Sequence, residues 1–596
     1  MLAVGALALA LGAMPASASA GAFTVQTLHF DTVVGPKDDT HCDVIGDLYR
    51  PKSATAKHRA AAILTTNGFG GSKNSQRNLA SAGARDGYVV LSYSGLGFGG
   101  SGCKIQLDDR DWDGKVASQL ISFLGGGKAA KDGTTVNYVA HDKKGSDGRR
   151  HGDDPRVGMV GGSYGGQVQY AAAGIDPRLD TIVPIITWND LSYSFVPNST
   201  DLKKGVTSAT PGVPKFIWAL EFAVVGMQQG IVHAPEDLTR LTSGICPNFD
   251  PQVCPSLINN AVANTPDAAT LKLLRHASVG QFIDGIKIPT LLMQGEADTL
   301  FNLNESVATY DALRKNDVPV KLIWQSWGHS GGSKEPGEFD EKHPRHSYEG
   351  TVVFKWFDHY LRDTGPEPTH DFCFFRDWID VAPDDNAAPA YACRDRYPGV
   401  ATRDLFVSGS HDLVADRKSA ATGSSSFLAP PEVSTSATEI SALDQNIPLF
   451  DAPGTATSYS SAPLEKPVDV AGIPKVSVDL SAPLQSLTGA TSPAGYTVLF
   501  FKLYDVAPDG DLTLSHRLLA PVRIPVTDEH VDVALPGIVH RFAKGHRIQL
   551  VVAGSDLAYR GNILPQPVTI LTSAGNPGVV SLPVASAKRA RAALGR

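Results

Sequence analysis

The sequence predicts an α/β chain: a doubly wound, mostly parallel sheet interrupted by an inserted helical segment and followed by an all-β sandwich. Three observations carry that expectation. Through the first half, short apolar runs alternate with amphipathic stretches, as in a sheet whose strands are joined by helices. Between about 190 and 285 that rhythm breaks into a helix-rich insertion. Beyond Asp363-Thr364-Gly365-Pro366 the texture changes to short alternating runs separated by Gly, Pro and Asp, the pattern of an antiparallel sandwich. A length of 596 residues is also too great for a single core and calls for two or three domains.

In chain order, residues 1–20 form an apolar run ending in Ala18-Ser19-Ala20, which reads as a secretory signal peptide, although no Lys or Arg precedes the apolar core. The run is too short to remain as a membrane span, so the mature chain is expected to be soluble and secreted, without a membrane partner. Strands are expected at 61–64, 88–91, 157–160, 182–186, 290–293 and 320–324, and helices at 73–85, 113–124 and 302–314. The insertion at about 190–285 is expected to cap the carboxyl ends of the strands, where open α/β sheets bind ligands. A last core helix covers 352–361. The Ser/Thr/Ala-rich stretch 417–440 reads equally well as a linker or as a loop-rich edge of the second domain. The short basic tail, 588–596, is expected to be a frayed terminus.

Six cysteines suit an exported chain. Proximity suggests Cys246 with Cys254 and Cys373 with Cys393, leaving Cys42 with Cys103, but sequence alone does not choose among pairings. None of the six shows a C-x-x-C or paired-His spacing, so neither a metal nor another cofactor is expected. A formal net charge of -8 gives no electrostatic footprint for nucleic acid.

The chemistry centres on Gly161-Gly162-Ser163-Tyr164-Gly165, a G-x-S-x-G sequence between an expected strand and an expected helix. That is the setting of a nucleophile elbow, in which small flanking residues let the backbone take a strained turn that lifts the serine above the sheet. A serine hydroxyl needs a neutral imidazole to take its proton and a carboxylate to orient that imidazole. In a sheet of this kind the acid and then the histidine follow the serine at strand ends. Asp298 follows the strand at 290–293, with Glu296 as a competing acid, and His329 follows the strand at 320–324 through Gly328. His343 and His346 are more distant rivals in a charged loop. An acyl-transfer intermediate also needs donors for its oxyanion. These are expected to be the backbone N–H of Tyr164 and that of Phe69 in the loop Thr66-Asn67-Gly68-Phe69-Gly70-Gly71.

Two weaker signals complete the inventory. Trp188 and Asp190, after the strand at 182–186, are candidates to wall or face a substrate pocket. Asp109-Arg110-Asp111-Trp112-Asp113-Gly114 matches the first half of a calcium loop, but Leu120 stands where that loop needs a bidentate Glu, so a solvated acidic helix start is the better reading.

The assembled residues resemble the X-Pro dipeptidyl-peptidase and cocaine-esterase-like serine hydrolases. The resemblance rests on the Gly-Gly-Ser163-Tyr-Gly-Gly elbow, Gly295-Glu296-Ala297-Asp298, Trp327-Gly328-His329, Phe501-Lys502-Leu503-Tyr504-Asp505-Val506 and Lys544-Gly545-His546-Arg547-Ile548. It implies an α/β-hydrolase domain over 21–365 with its helical cap at about 190–285, and a C-terminal jelly roll over 366–587. Two stretches depart from the pattern. Phe69 stands where cocaine-esterase-like members place a tyrosine hydroxyl, and Ser94-Gly95 stands where many members read Arg-Gly. The expected function is a secreted serine hydrolase acting on a peptide with an N-terminal X-Pro dipeptide, or on an ester or amide of a small acyl group. A dipeptidyl-peptidase would further need an acid for the free amino terminus, for which Asp190 and Glu221 are candidates. The alternative is a hydrolase-like protein without turnover whose jelly roll binds carbohydrate or a surface partner.

Overall fold

The computed structural model of the protein describes residues 21–585, apart from 243, 332–333, 341, 369, 400, 432, 441–446, 489–491 and 526–527. The expected signal peptide at 1–20 and the tail at 588–596 lie outside the described residues. The first sheet has ten strands: β1 Phe23–Val34, β2 Thr40–Pro51, β3 Ala62–Thr66, β4 Val89–Tyr93, β5 Val157–Gly162, β6 Thr181–Ile185, β7 Thr290–Gly295, β8 Val320–Gln325, β9 Phe372–Phe374 and β10 Ala392–Arg394. Their order is β1-β2-β4-β3-β5-β6-β7-β8-β9-β10. Pairing is parallel from β4 through β9 and antiparallel at both edges.

The central strands coincide with the apolar runs because both of their faces are covered. Leu64 and Leu91 pack into the core on one face, while Ile63 and Val90 pack into the core on the other. Helices α1 Arg77–Arg85, α2 Lys115–Leu124 and α3 Tyr164–Ala173 belong to this layered unit. The strands β1 and β2 were not foreseen. They form an edge hairpin, and β1 is half exposed, so its polar residues dilute the apolar signal.

The expected boundary at 365 needs correction. Gly365-Pro366 closes the last long helix of this unit, whose C-cap Asp363 has φ 53. The chain then returns to the same sheet: β9 pairs with β8, and β10 pairs with β9 with Cys373 opposite Cys393. The first unit therefore runs to Arg394. The three disulfides are Cys42–Cys103, Cys246–Cys254 and Cys373–Cys393.

Between β6 and β7 the insertion folds as a cap of four helices, α4 Leu191–Phe195, α5 Phe216–Val232, α6 Val253–Val262 and α7 Ala268–His276, plus a small hairpin at 202–208. Helices α8 Leu303–Lys315 and α9 Tyr348–Arg362 complete the first unit. No helix among the described residues is long and apolar enough to cross a membrane.

From Ala401 to Val584 the chain is an all-β sandwich around a core that includes Val476, Phe501, Ile548 and Leu582. The stretch at 417–440 is an edge of this sandwich: Gly423–Ala429 pairs antiparallel with Gln566–Thr572. The acidic stretch at 109–114 also departs from expectation. Asp111 is half-buried and bridges Lys115, but Asp113 is buried, and burial holds its carboxyl well above the usual carboxylate range.

One buried arginine ties the sandwich to the cap. The Arg523 guanidinium donates to the carbonyls of Gly212, Pro493 and Asn264, and its backbone N–H donates to Asn198 Oδ1. Burial depresses its pKa to about 9, so those carbonyls are what make a cation tolerable there. Arg523→Ala strands three carbonyls at this junction and is expected to cost about 2–4 kcal/mol of stability. Denaturant unfolding of the two chains measures it.

Candidate active site

Strand β5 is buried along its length and ends at Gly162, and α3 begins at Tyr164. Ser163 between them has φ 57 and ψ -120, a conformation that an L-residue holds only under constraint from its surroundings. The constraint is close backbone packing. A Cβ on Gly165 would sit 2.7 Å from Thr66 O and 3.0 Å from Asn67 O, so only glycine lets α3 approach the end of β3 this closely.

Ser163 Oγ lies 2.8 Å from His329 Nε2, and His329 Nδ1 lies 2.7 Å from Asp298 Oδ2. Asp298 is fully buried, and its second oxygen, Oδ1, accepts the N–H groups of Leu300 (3.0 Å) and Phe301 (2.7 Å). A carboxylate so placed can only accept, so Nδ1 carries the imidazole hydrogen and Nε2 is free to accept from the serine hydroxyl. Glu296, the competing acid, does not reach this pair. It is buried, its backbone is tied to Gln325, and burial raises its carboxyl well above the usual range. His343 and His346 stack on each other away from the site, with His343 bound to Asp340.

The loop before the elbow forms a tight turn in which the Gly71 N–H donates to Gly68 O (3.0 Å). Gly70 has φ +80, and a Cβ there would meet Val225 Cγ1 of α5 at 2.6 Å. The cap also grips this turn directly, since Gln229 Nε2 of α5 donates to Gly70 O at 2.8 Å. Among the described residues neither the Phe69 N–H nor the Tyr164 N–H has a hydrogen-bond acceptor. The Phe69 ring packs edge-on against Phe98, Tyr164 and Phe222.

Beside Ser163 lies a narrow aromatic pocket, partly open to solvent. Its walls are Phe69, Leu107, Tyr164, Trp188, Leu191, Phe195, Phe222, Phe249, Val253, Leu257, Leu274 and Phe301, with Ser256 and Asn260, and among the described residues no charged side chain lines it. Trp188 is thus a wall residue, fixed by its Nε1–H donating to Ala277 O at 2.8 Å. Ser163 also borders a second space, lined by Gly68, Ile186, Trp327, Lys334, Phe339 and Glu349, among others.

Asp190 does not face either space. It is the N-cap of α4, fully buried, with Oδ1 accepting the N–H and hydroxyl of Ser192 and Oδ2 accepting the Thr207 hydroxyl. Its place after β6 suggested the pocket, but the cap of α4 takes one of its oxygens and the Thr207 hydroxyl takes the other. Glu221, on α5, is half buried, and burial pushes its carboxyl up to about 7, yet it lines neither space. Sequence reasoning missed Phe222, Gln229, Phe249 and Phe301. Their only signal was the apolar character of the insertion and the position of Phe301 three residues after Asp298. Among the described residues no group of three or more His, Cys, Asp or Glu is arranged to hold a metal ion.

Comparison with known proteins agrees with this architecture. The family model for X-Pro dipeptidyl-peptidase (S15 family) matches residues 42–331, and that for the X-Pro dipeptidyl-peptidase C-terminal non-catalytic domain matches residues 397–574. No curated protein matches the chain. Among solved structures, an aminopeptidase from a marine sediment Thaumarchaeota archaeon is similar at a TM-score of 0.62 and 14% identity, covering 96% of this chain and 99% of that one. An α-amino acid ester hydrolase is similar at a TM-score of 0.62 and 16% identity, covering 97% and 100%. A CocE/NonD family hydrolase from Staphylococcus aureus is similar at 0.59 and 11%, covering 94% and 97%. At such identities these structures speak for the fold.

Gly70→Ala places a methyl group against Val225 at a positive φ and should displace the Phe69 N–H. The expected outcome in steady-state kinetics is a kcat lower by about 10-fold or more at little-changed KM. A Gly70→Ala enzyme with wild-type kcat would show that the turn contributes no donor.

Proposed function

Starting from a chain that belongs to the X-Pro dipeptidyl-peptidase and cocaine-esterase-like family of serine hydrolases, we propose that it cleaves esters or amides of apolar acyl groups through an acyl-enzyme on Ser163. The observation that carries this reading is the hydrogen-bonded chain Ser163–His329–Asp298 beside a cavity with no charged wall residue. His329 Nε2 takes the hydroxyl proton as Ser163 Oγ attacks the carbonyl carbon. Asp298 holds the imidazole by Nδ1–H and stabilises the imidazolium that forms. The carbonyl oxygen, now anionic, is received by the Phe69 and Tyr164 N–H groups. His329 then returns the proton to the leaving alcohol or amine, and a water activated at Nε2 hydrolyses the acyl-enzyme.

The acyl group occupies the aromatic cavity, and the leaving group departs toward the side of Trp327. A free amino terminus would enter the cavity as a cation, and no wall residue offers it a carboxylate. That favours an ester or simple amide over an X-Pro peptide. Secretion is part of the proposal. It rests on the signal-like residues 1–20 and is supported by three disulfides, which persist in oxidising compartments.

A fluorophosphonate probe should label the wild-type chain, and Ser163→Ala should abolish both labelling and turnover. Asp298→Asn should lower kcat by on the order of 10³–10⁴-fold with the fold intact. Turnover should fall toward acid pH, because imidazolium cannot accept the serine proton. A wild-type chain that does not label sinks the proposal.

Substrate choice is tested by kcat/KM on an aromatic ester, a short-chain ester and an X-Pro chromogenic amide. The aromatic ester should be preferred, and Glu221→Gln should leave its kcat/KM within about 2-fold, since Glu221 lines neither space. Preference for the X-Pro amide, lost on Glu221→Gln, would reverse the assignment.

A further inference from the structure

The acid of the candidate triad is backed by a buried charge pair whose two halves come from different parts of the chain. Lys215, at the start of cap helix α5, is 3% exposed. Its ammonium donates to the carbonyl of Thr299, the residue after Asp298. It also faces Glu439 Oε1 at 4.0 Å and lies 5.8 Å from the centre of the Tyr559 ring. Glu439 and Tyr559 belong to the C-terminal sandwich. Glu439 is 1% exposed, and its Oε2 accepts the Tyr559 hydroxyl at 2.5 Å, while among the described residues Oε1 accepts no hydrogen bond. Its neighbour Thr438 is tied to Asp556, which faces the buried Lys502 at 3.7 Å.

The contact reaches both loops of the triad. Thr299 Oγ1 is 2.6 Å from Ser330 Oγ, and the Thr299 N–H donates to that same oxygen, so the residues following Asp298 and His329 are joined. Trp218 Nε1–H, one turn along α5, donates to Thr299 Oγ1 at 3.3 Å.

We propose that Lys215 and Glu439 are positioning residues for the Asp298–His329 pair, and that the C-terminal sandwich thereby supplies part of the catalytic machinery. Lys215 fixes the Thr299 carbonyl and with it the acid loop, and Glu439 compensates the buried ammonium. Removing either partner leaves the other charge buried and uncompensated next to Asp298. The charged and titratable groups facing Glu439 are Lys215, Tyr559, Asp556 and Asp298, and burial in their midst pushes its carboxyl up to about 7.

The inference rests on Ser163, His329 and Asp298 acting as proposed, and the test separates the two readings. In the full-length chain, Glu439→Gln and Lys215→Met should each lower kcat on a short ester by ~10-fold or more, with KM within ~2-fold, while Lys215→Arg keeps most activity. The acid limb of kcat/KM should move in opposite directions. Glu439→Gln removes the ionised fraction of the Glu439 carboxylate, which is only part of a charge on the acid limb because burial holds that carboxyl up to about 7, and so moves the limb to lower pH by less than Lys215→Met moves it the other way. Lys215→Met removes a cation from the neighbourhood and moves it to higher pH. Loss of stability alone would not produce opposite shifts. If Glu439→Gln does not fold, Tyr559→Phe removes the donor to Glu439 and should shift the limb as Glu439→Gln would. Folded variants that label at the wild-type rate with an unmoved acid limb overturn this inference and leave the serine mechanism standing. A wild-type chain that does not label overturns the mechanism itself.

Discussion

The turn at Ser163 has a backbone conformation that costs on the order of 1–3 kcal/mol, and the rest of the site is arranged around holding it. It persists because β3, β5 and α3 meet backbone to backbone, with Gly165 against the carbonyls of Thr66 and Asn67. The same approach brings the Phe69 turn alongside the elbow. A side chain at Gly165 would therefore disturb the proposed nucleophile and the proposed oxyanion donors together. Buried strands on both sides of β5 make the strain affordable, since they leave the chain no relaxed alternative at that point.

Helix α5 extends that constraint outward. Its first residues hold the acid loop through Lys215 and Trp218, its middle packs Phe222 onto Phe69, and its last turns seat Val225 and Gln229 on Gly70. One cap helix thus touches both the loop that carries Asp298 and the Phe69 turn, the two sides of the proposed site. It is in turn anchored on the sandwich, by Lys215 to Glu439 at its start and by Arg560, whose guanidinium stacks on Phe216. The three parts of the chain are consequently mechanically joined beside the proposed catalytic site.

Much of this was legible in the sequence. The central strands appeared as apolar runs because both of their faces are buried, and Ser163, Asp298 and His329 stood out because each follows such a run. The edge hairpin β1–β2 was invisible because a half-exposed strand mixes polar residues into its pattern. Strands β9 and β10 were assigned to the wrong side of a domain boundary, since Gly365-Pro366 marks the end of a helix and says nothing about which sheet the chain joins next. Asp190 was misread for a related reason: a carboxylate after a strand can serve a ligand or a helix N-terminus, and only its partners tell which.

What the sequence determined by itself was the set of candidate reactive groups and their order along the chain, because elbows and strand-end loops are local structures whose geometry follows from a few adjacent residues. The tertiary structure alone decided what surrounds them. The cavity draws Phe69, Trp188, Phe222, Phe249 and Phe301 from well-separated segments, and the ion pair behind Asp298 joins residues 224 positions apart (439 − 215). Such contacts depend on how cap and sandwich pack, and packing depends on the shape of whole surfaces, which no short stretch of sequence encodes.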